Sequence, residues 1–215
     1  MRVVAIADTH LYTDDLVVPD GDLLIHAGDL CRRGNFNELE KAAAWFDAQP
    51  HRHKVVVAGN HDWAFVDEPE RARALFACYL QDEGTAIEGL RIYGAPWQPA
   101  YNDWAFNLPR GAALAEKWAA IPEGLDILVT HGPPEGIGDD IELVGRSGCA
   151  DLLARVTAVA PRLHLFGHIH ADGGLWQRGA TTFANVTTWE CERGATVIDI
   201  DANTVAPVVV PPRSR

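Results

Sequence analysis

"LHLFGHIH", residues 163–170, is an apolar run that closes on two histidines one residue apart. Side chains at i and i+2 of a strand face the same way. Read as a strand, the run sends His168 and His170 to one side of a sheet. "VVAIADTH" (3–10) ends in the same manner, on Asp8 and His10. Further short, β-branched runs share this character, namely "DLLIHAGD" (22–29), "HKVVVAGN" (53–60), "LRIYGAP" (90–96), "DILVTHG" (126–132), "TTFANVT" (181–187) and "ATVIDID" (195–201). Strands that are apolar almost throughout suit sheets covered on both faces. Segments with helical spacing lie between them, at 35–49, 68–84 with Gly84 as the stop, 110–122 and 148–161. Strand–helix alternation predicts an α/β layered fold. Residues 94–110, with three prolines and several aromatics, form the longest irregular loop, and such loops usually carry function or mobility.

The 215 residues suffice for one domain, read here as 1–210 followed by a disordered tail at 211–215. No apolar stretch reaches the roughly 18 residues of a membrane span, and the start does not read as a secretory signal. The cysteines, Cys31, Cys78, Cys149 and Cys191, are far apart and form no CxxC pair. Reduced thiols in a cytoplasmic setting are therefore expected. The net charge of −12 and the lack of a Lys/Arg run disfavour long nucleic acid, which needs a basic face.

The polar residues collect at run ends: Asp8 and His10, Asp29, Asn60 with His61 and Asp62, His131, then His168 and His170. Ligands of open α/β sheets bind outside the carboxyl ends of strands, so these side chains should converge on one edge. Glycines 28, 59, 132 and 167 stand beside four of the groups and let backbone approach a ligand closely. The donors are imidazole, carboxylate and carboxamide without thiolate, a set suited to Mn, Fe, Zn, Co or Ni. Two aspartates, one asparagine and four histidines make seven candidate ligands, too many for one ion. With Asp29 shared, they satisfy two ions with four protein ligands each. Paired ions activate water and clamp a displacement at phosphorus.

The ordered set Asp8-x-His10, Gly28-Asp29, Gly59-Asn60-His61-Asp62, His131 and Gly167-His168-Ile169-His170 resembles the calcineurin-like metallophosphoesterase superfamily over roughly residues 3 to 200. "EGLRIYGAPWQP", "WAFNLPRG" and "HGPP" resemble its branch of small metallophosphoesterase-domain proteins near the class III cyclic nucleotide phosphodiesterases. The resemblance implies a layered β-sandwich of two mixed sheets flanked by helices. It places Asp8, His10, Asp29 and His170 around one metal, and Asp29, Asn60, His131 and His168 around a second. The pair would be Mn2+, Fe2+/Fe3+ or Zn2+, with a bridging hydroxide as nucleophile. His61, from the GNH motif, would face the substrate as general acid. Asp62 would orient His61 or hold the turn. "GDLCRRG" (28–34) departs from the GDxxDRG of many relatives, with Arg32 where the aspartate stands. Arg33 matches the family arginine and is the candidate grip on a phosphoryl oxygen, against an ordinary salt bridge.

The expected activity is a metal-dependent phosphodiesterase acting on cyclic nucleotides or small diesters. The alternatives are a phosphomonoesterase or short-end nuclease, and a metal-bound regulatory module. The expected partners are a small phosphoester or nucleotide substrate, no long nucleic acid and no membrane, with a homodimer left open. Trp97, Trp104 and Phe106 either wall a base pocket or simply pack the long loop. His26 and His164 sit inside apolar runs and are expected in the core with hydrogen-bond partners. His51 and His53 are expected in solvent.

Overall fold

In β1 (Arg2–Ile6), Val3 and Ala5 face one apolar cluster while Val4 and Ile6 face another. The near-continuous apolar run is thus a strand buried on both sides. The computed structural model describes residues 1–141 and 144–212. After β1 the chain forms β2 (Leu23–Ala27), α1 (Phe36–Asp47), β3 (His53–Val57), α2 (Ala64–Asp67), α3 (Pro69–Arg73), β4 (Glu83–Ile87) and β5 (Leu90–Ala95). Next come the short β6 (Gln98–Pro99) and β7 (Asn107–Leu108), α4 (Ala112–Ala119), β8 (Ile127–Thr130), the short β9 (Asp140–Ile141) and β10 (Gly145–Arg146), and α5 (Ala150–Val159). The chain closes with β11 (Leu163–Phe166), β12 (Gly174–Arg178), β13 (Thr181–Asn185), β14 (Thr196–Ile200) and β15 (Val205–Val209).

Two mixed sheets result. The first has the order β15-β14-β1-β2-β3 and the second β12-β13-β11-β8-β5-β4. Parallel pairing joins β1, β2 and the edge strand β3 in the first sheet, and β5, β8, β11 and β13 in the second. The inner faces meet through Val3, Ile25 and Val57 on one side and Ile92, Val129 and Leu165 on the other. Outside the first sheet, Leu39, Ala42 and Phe46 of α1 pack on Val4, Leu24 and Val56. Outside the second, Leu114 and Trp118 of α4 and Leu152 and Val156 of α5 cover Tyr93, Leu128 and Phe166. The molecule is a β-sandwich with helices on both outer faces, as the sequence led us to expect.

Helix α1 shows how its own start shapes the adjoining loop. Asn35 caps the helix by accepting the Glu38 N–H at 3.1 Å. The Glu38 carboxylate turns back to accept the backbone N–H groups of Arg32, Arg33 and Gly34. One acid thereby ties the "GDLCRRG" loop to the scaffold.

Three expectations need correction. The helix read over 68–84 ends at Arg73, and Gly84 lies inside β4 opposite Tyr93. The intervening chain instead runs along the open edge of β3: Val56 N–H donates to Cys78 O, and Leu80 N–H to Val56 O. Pairing with that edge satisfies backbone groups and lets Tyr79 stack on Phe65 at 4.2 Å. His51 is not in solvent. It is 3% exposed, and its Nε2 lies 3.0 Å from Pro19 O. The expected tail begins with two held residues, because Arg193 donates to Pro211 O and Pro212 O; residues 213–215 lie outside the described ones. Among the described residues no helix is long and apolar enough to cross a membrane.

His26 and His164 are both buried, as expected. His26 Nε2 meets Thr9 Oγ1 at 3.0 Å. At His164, Thr130 Oγ1 donates to Gly132 O, so the same oxygen accepts from His164 Nε2–H at 2.9 Å. Nδ1 is left without a partner among the described residues, close to the rings of Phe166 and Phe183. Burial pushes this imidazole down to about 3. The unfolded ring protonates near 6.5, so the unfolded chain binds more protons between the two values. The contribution is complete above about pH 6.5 and drains away as the pH falls toward the folded value. At about pH 4.5 the loss from this single group is about 3 kcal/mol. Urea unfolding of wild type and His164→Phe should therefore show wild type losing ground to the variant between about pH 7.5 and pH 4.5. A stability difference that stays constant with pH would refute a neutral buried ring.

Candidate metal centre

The carboxyl ends of β1, β2 and β3 from one sheet and of β8 and β11 from the other open at the same end of the sandwich. Backbone bonds then splice the loops together. Asp8 N–H donates to Gly28 O, His10 N–H to Asp29 O, and Gly167 N–H to His131 O. Asp8, His10, Asp29 and His168 all have positive φ, of 55°, 45°, 58° and 69°. Left-handed backbone at non-glycine residues is costly and gathers at functional sites. It also corrects the strand argument for the paired histidines. β1 ends at Ile6 and β11 at Phe166, so Asp8, His10, His168 and His170 lie beyond the ladders. Their convergence comes from left-handed turns rather than from strand alternation.

The expected donors do meet. Ligand atoms of Asp8, His10 and His170 lie within 4.8 Å of one another, as do those of Asp29, His131 and His168. Asp29 faces both groups, with Oδ2 3.7 Å from His10 Nε2 and Oδ1 3.4 Å from His131 Nε2. Asn60 Oδ1 joins the second group 2.9 Å from His131 Nε2. His170 Nε2 is 3.7 Å from Asp8 Oδ1.

This donor set fits metal. His10 Nδ1 is bonded to Cys31 O and His131 Nδ1 to Ala27 O, each at 2.9 Å. A backbone carbonyl on one ring nitrogen is the usual device for aiming the other at a cation. His10 Nε2 is buried with no hydrogen-bond partner among the described residues, an orphaned atom facing Asp29. Gly28 and Gly59 are needed here: a Cβ at Gly28 would collide with His131 Nδ1, and one at Gly59 with Asp29 Oδ1.

The charges agree. Burial raises the Asp8 and Asp29 carboxyls, but neighbouring histidines outweigh it and hold both below the usual carboxylate range. Burial lowers His131, yet the charge and hydrogen bond of Asp29, aided by Asp8, carry it up to about 9. The buried carboxylates draw protons onto His131 and His170, while burial and the charge of His131 push His168 down to about 4, so the pocket favours positive charge but not on every ring.

The remaining candidates separate. His61 N–H donates to Asp29 Oδ1 at 2.8 Å, and its Nδ1 lies 2.6 Å from Arg32 O. The ring sits between Trp104, at 4.1 Å, and His10, at 4.6 Å. A backbone carbonyl thus orients the His61 ring. Asp62 is fully buried and accepts the backbone N–H groups of Asp29, Leu30, Cys31 and Gly59. These bonds serve the turn-holding role, and none of them reaches the His61 ring. Arg32 folds back, donating to His10 O and lying 3.8 Å over the Tyr12 ring. Arg33 is exposed, and its backbone N–H is tied to Glu38. It does not line the cleft of about 250 Å³.

Tyr101, Asn102 and Asn107 do line that cleft, together with Trp104, and sequence reasoning did not single them out. Their signal was the irregular loop itself, of which only the larger aromatics attracted notice. Trp97 and Phe106 pack, with rings 5.6 Å apart and Trp97 Nε1 donating to Asp82.

Comparison with known proteins agrees with this geometry. The chain is 44% identical over 213 residues to human metallophosphoesterase domain-containing protein 1, covering 86% of this chain and 65% of that protein. It therefore spans just under two thirds of that relative's length. In fold it is similar to the crystal structure of TT1561 of Thermus thermophilus, with a TM-score of 0.66 at 14% identity and coverage of 100% and 99% of the two chains. It is also similar to phosphopantetheinyl hydrolase from Mycobacterium tuberculosis, with a TM-score of 0.62 at 13% identity and coverage of 96% and 95%. Residues 1–172 match the calcineurin-like phosphoesterase family, and with the donors of the motif gathered at one sheet edge the chain belongs to that family.

Proposed function

We propose that the protein is a metal-dependent phosphoester hydrolase and that its substrates are phosphodiesters, cyclic nucleotides among them. The observation that carries this reading is the pair of donor groups facing Asp29 with His61 beside them. Asp8, His10, Asp29 and His170 would hold one divalent cation, and Asp29, Asn60, His131 and His168 a second. Such a pair supplies charge to phosphoryl oxygens and lowers the pKa of water. The chain's own groups do the rest. Hydrogen bonding of Nδ1–H to Arg32 O leaves His61 Nε2 to deliver a proton to the departing oxygen. Trp104 covers one face of that ring.

The preference for a diester follows from the lining. Among the described residues of the cleft none is lysine or arginine. A monoester dianion would bring a second charge without a cationic side chain to meet it, whereas a diester brings one. With Mn2+-loaded protein, methyl 4-nitrophenyl phosphate should react with a kcat/KM at least about tenfold above that of 4-nitrophenyl phosphate, a gap of about 1.4 kcal/mol. The opposite order would overturn the diester reading. Failure of both esters with Mn2+, Fe2+, Zn2+, Co2+ and Ni2+ would overturn hydrolysis itself.

A further inference from the structure

A second cavity, of about 360 Å³, adjoins the metal cleft, and His168 and Tyr101 line both. Its walls are Pro99, Ala100 and Tyr101 on one side and Pro133, Ile141 and Val144 on the other. Tyr101 and Val144 are 72% and 79% exposed, unusual for large apolar side chains, and both stand at this cavity. Arg110 also borders it, but its guanidinium donates to Ser147 O and Gly148 O, each at 2.7 Å. Arg110 therefore holds the chain at Ser147, which also lines the cavity. The Tyr101 side is held as well. Asn107 Nδ2 donates to Tyr101 O at 2.9 Å, and Gln98 Nε2 donates to Ala105 O and to Asn107 Oδ1 at 2.8 Å. The cavity is largely apolar, hydrogen bonds hold its Tyr101 side and Ser147, and it shares His168 and Tyr101 with the metal cleft.

Its position says which part of a substrate would enter. Around Asp29, His61 groups with His10, while His168 groups with His131. A diester whose leaving oxygen lies toward His61 points its other substituent toward His168, where the cavity opens. We infer that this cavity binds the retained, non-leaving substituent of the phosphodiester, and that this substituent is planar and apolar, of the size of one or two aromatic rings. Burying such a ring removes apolar surface from water, which favours binding in proportion to area. The inference rests on the diester reading and deepens it.

Two pairs of small esters test it on the Mn2+-loaded protein. Benzyl 4-nitrophenyl phosphate and methyl 4-nitrophenyl phosphate share a leaving group, have retained alkoxides of similar basicity, and differ in whether the retained group carries a ring. The first should have a kcat/KM about 10- to 50-fold higher, the range expected for one ring removed from water. By calorimetry, diphenyl phosphate should bind more tightly than dimethyl phosphate by a similar factor. Ala100→Trp fills the cavity and Val144→Asp places a charge at its mouth; both positions are exposed, so the fold should tolerate them. Each should bring both ratios to within about threefold of unity, with the apolar contribution gone. Equal treatment of the two esters by wild type would overturn the inference, as would a preference that survives both substitutions. Absence of turnover with the binding preference intact would overturn the diesterase reading and leave the cavity as a binding site for planar groups.

Discussion

Asp29→Ala is expected to abolish function: kcat toward a chromogenic diester should fall by about 10³-fold or more, since metal ions contribute several kcal/mol and each decade is about 1.4 kcal/mol. Bound metal should fall with it. The size of the effect follows from the position of one carboxylate. Oδ1 faces His131 and Oδ2 faces His10, so a single side chain serves both donor groups. Its Oδ1 also accepts the backbone N–H of His61, which ties the residue that carries the proton donor to the same side chain. Removing it disturbs both cation positions and the acid together. His170→Ala is the useful contrast, because His170 is part of one group only and is not fully buried. Its loss should cost at least about 10- to 100-fold, the range for losing a residue that only steadies a metal ligand, and less than the loss of Asp29. Metal content by mass spectrometry and kcat on the same preparations check both, with circular dichroism confirming the fold. An Asp29→Ala protein that keeps two ions per chain and a tenth of its activity would sink the shared role.

Much of this arrangement was legible because the motifs are local and ordered. Gly28-Asp29 and Gly59-Asn60-His61-Asp62 each carry their own turn, and each follows a run whose residues are apolar on both faces. The strand ends therefore announced where the donors would gather. Their actual geometry was not legible. Aspartate and histidine are enriched in left-handed backbone, but they occupy ordinary turns far more often, so the residue types at Asp8, His10, Asp29 and His168 did not single out that conformation. It is imposed by loops that bond to one another across two sheets, as in Asp8 N–H to Gly28 O. The segment 74–82 shows the same limit at the level of fold. Its apolar spacing permits a helix, but the free edge of β3 offers Val56 as a partner, and edge pairing wins. Asp62 was legible as important and ambiguous in role. Only the four backbone N–H groups it accepts show it holding the turn.

His61→Ala should separate proton delivery from metal binding. For a diester whose leaving group is an alkoxide, such as a nucleoside hydroxyl, kcat should fall by about 10²- to 10⁴-fold, the usual worth of a positioned acid. For a 4-nitrophenyl ester the fall should be only about tenfold, because that phenolate leaves without needing a full proton. Bound metal should be unchanged, since His61 Nδ1 is spent on Arg32 O and the Asp29 contact of residue 61 comes from its backbone N–H, which alanine retains. That last point makes the substitution clean: the ring goes, and the hydrogen bond that steadies Asp29 stays. A general acid shows a penalty that grows with the basicity of the leaving oxygen. A ring that merely packs between Trp104 and His10 would show the same penalty for every ester. Equal losses across the two leaving groups would remove His61 from the proton path and leave it a spacer at the edge of the cleft.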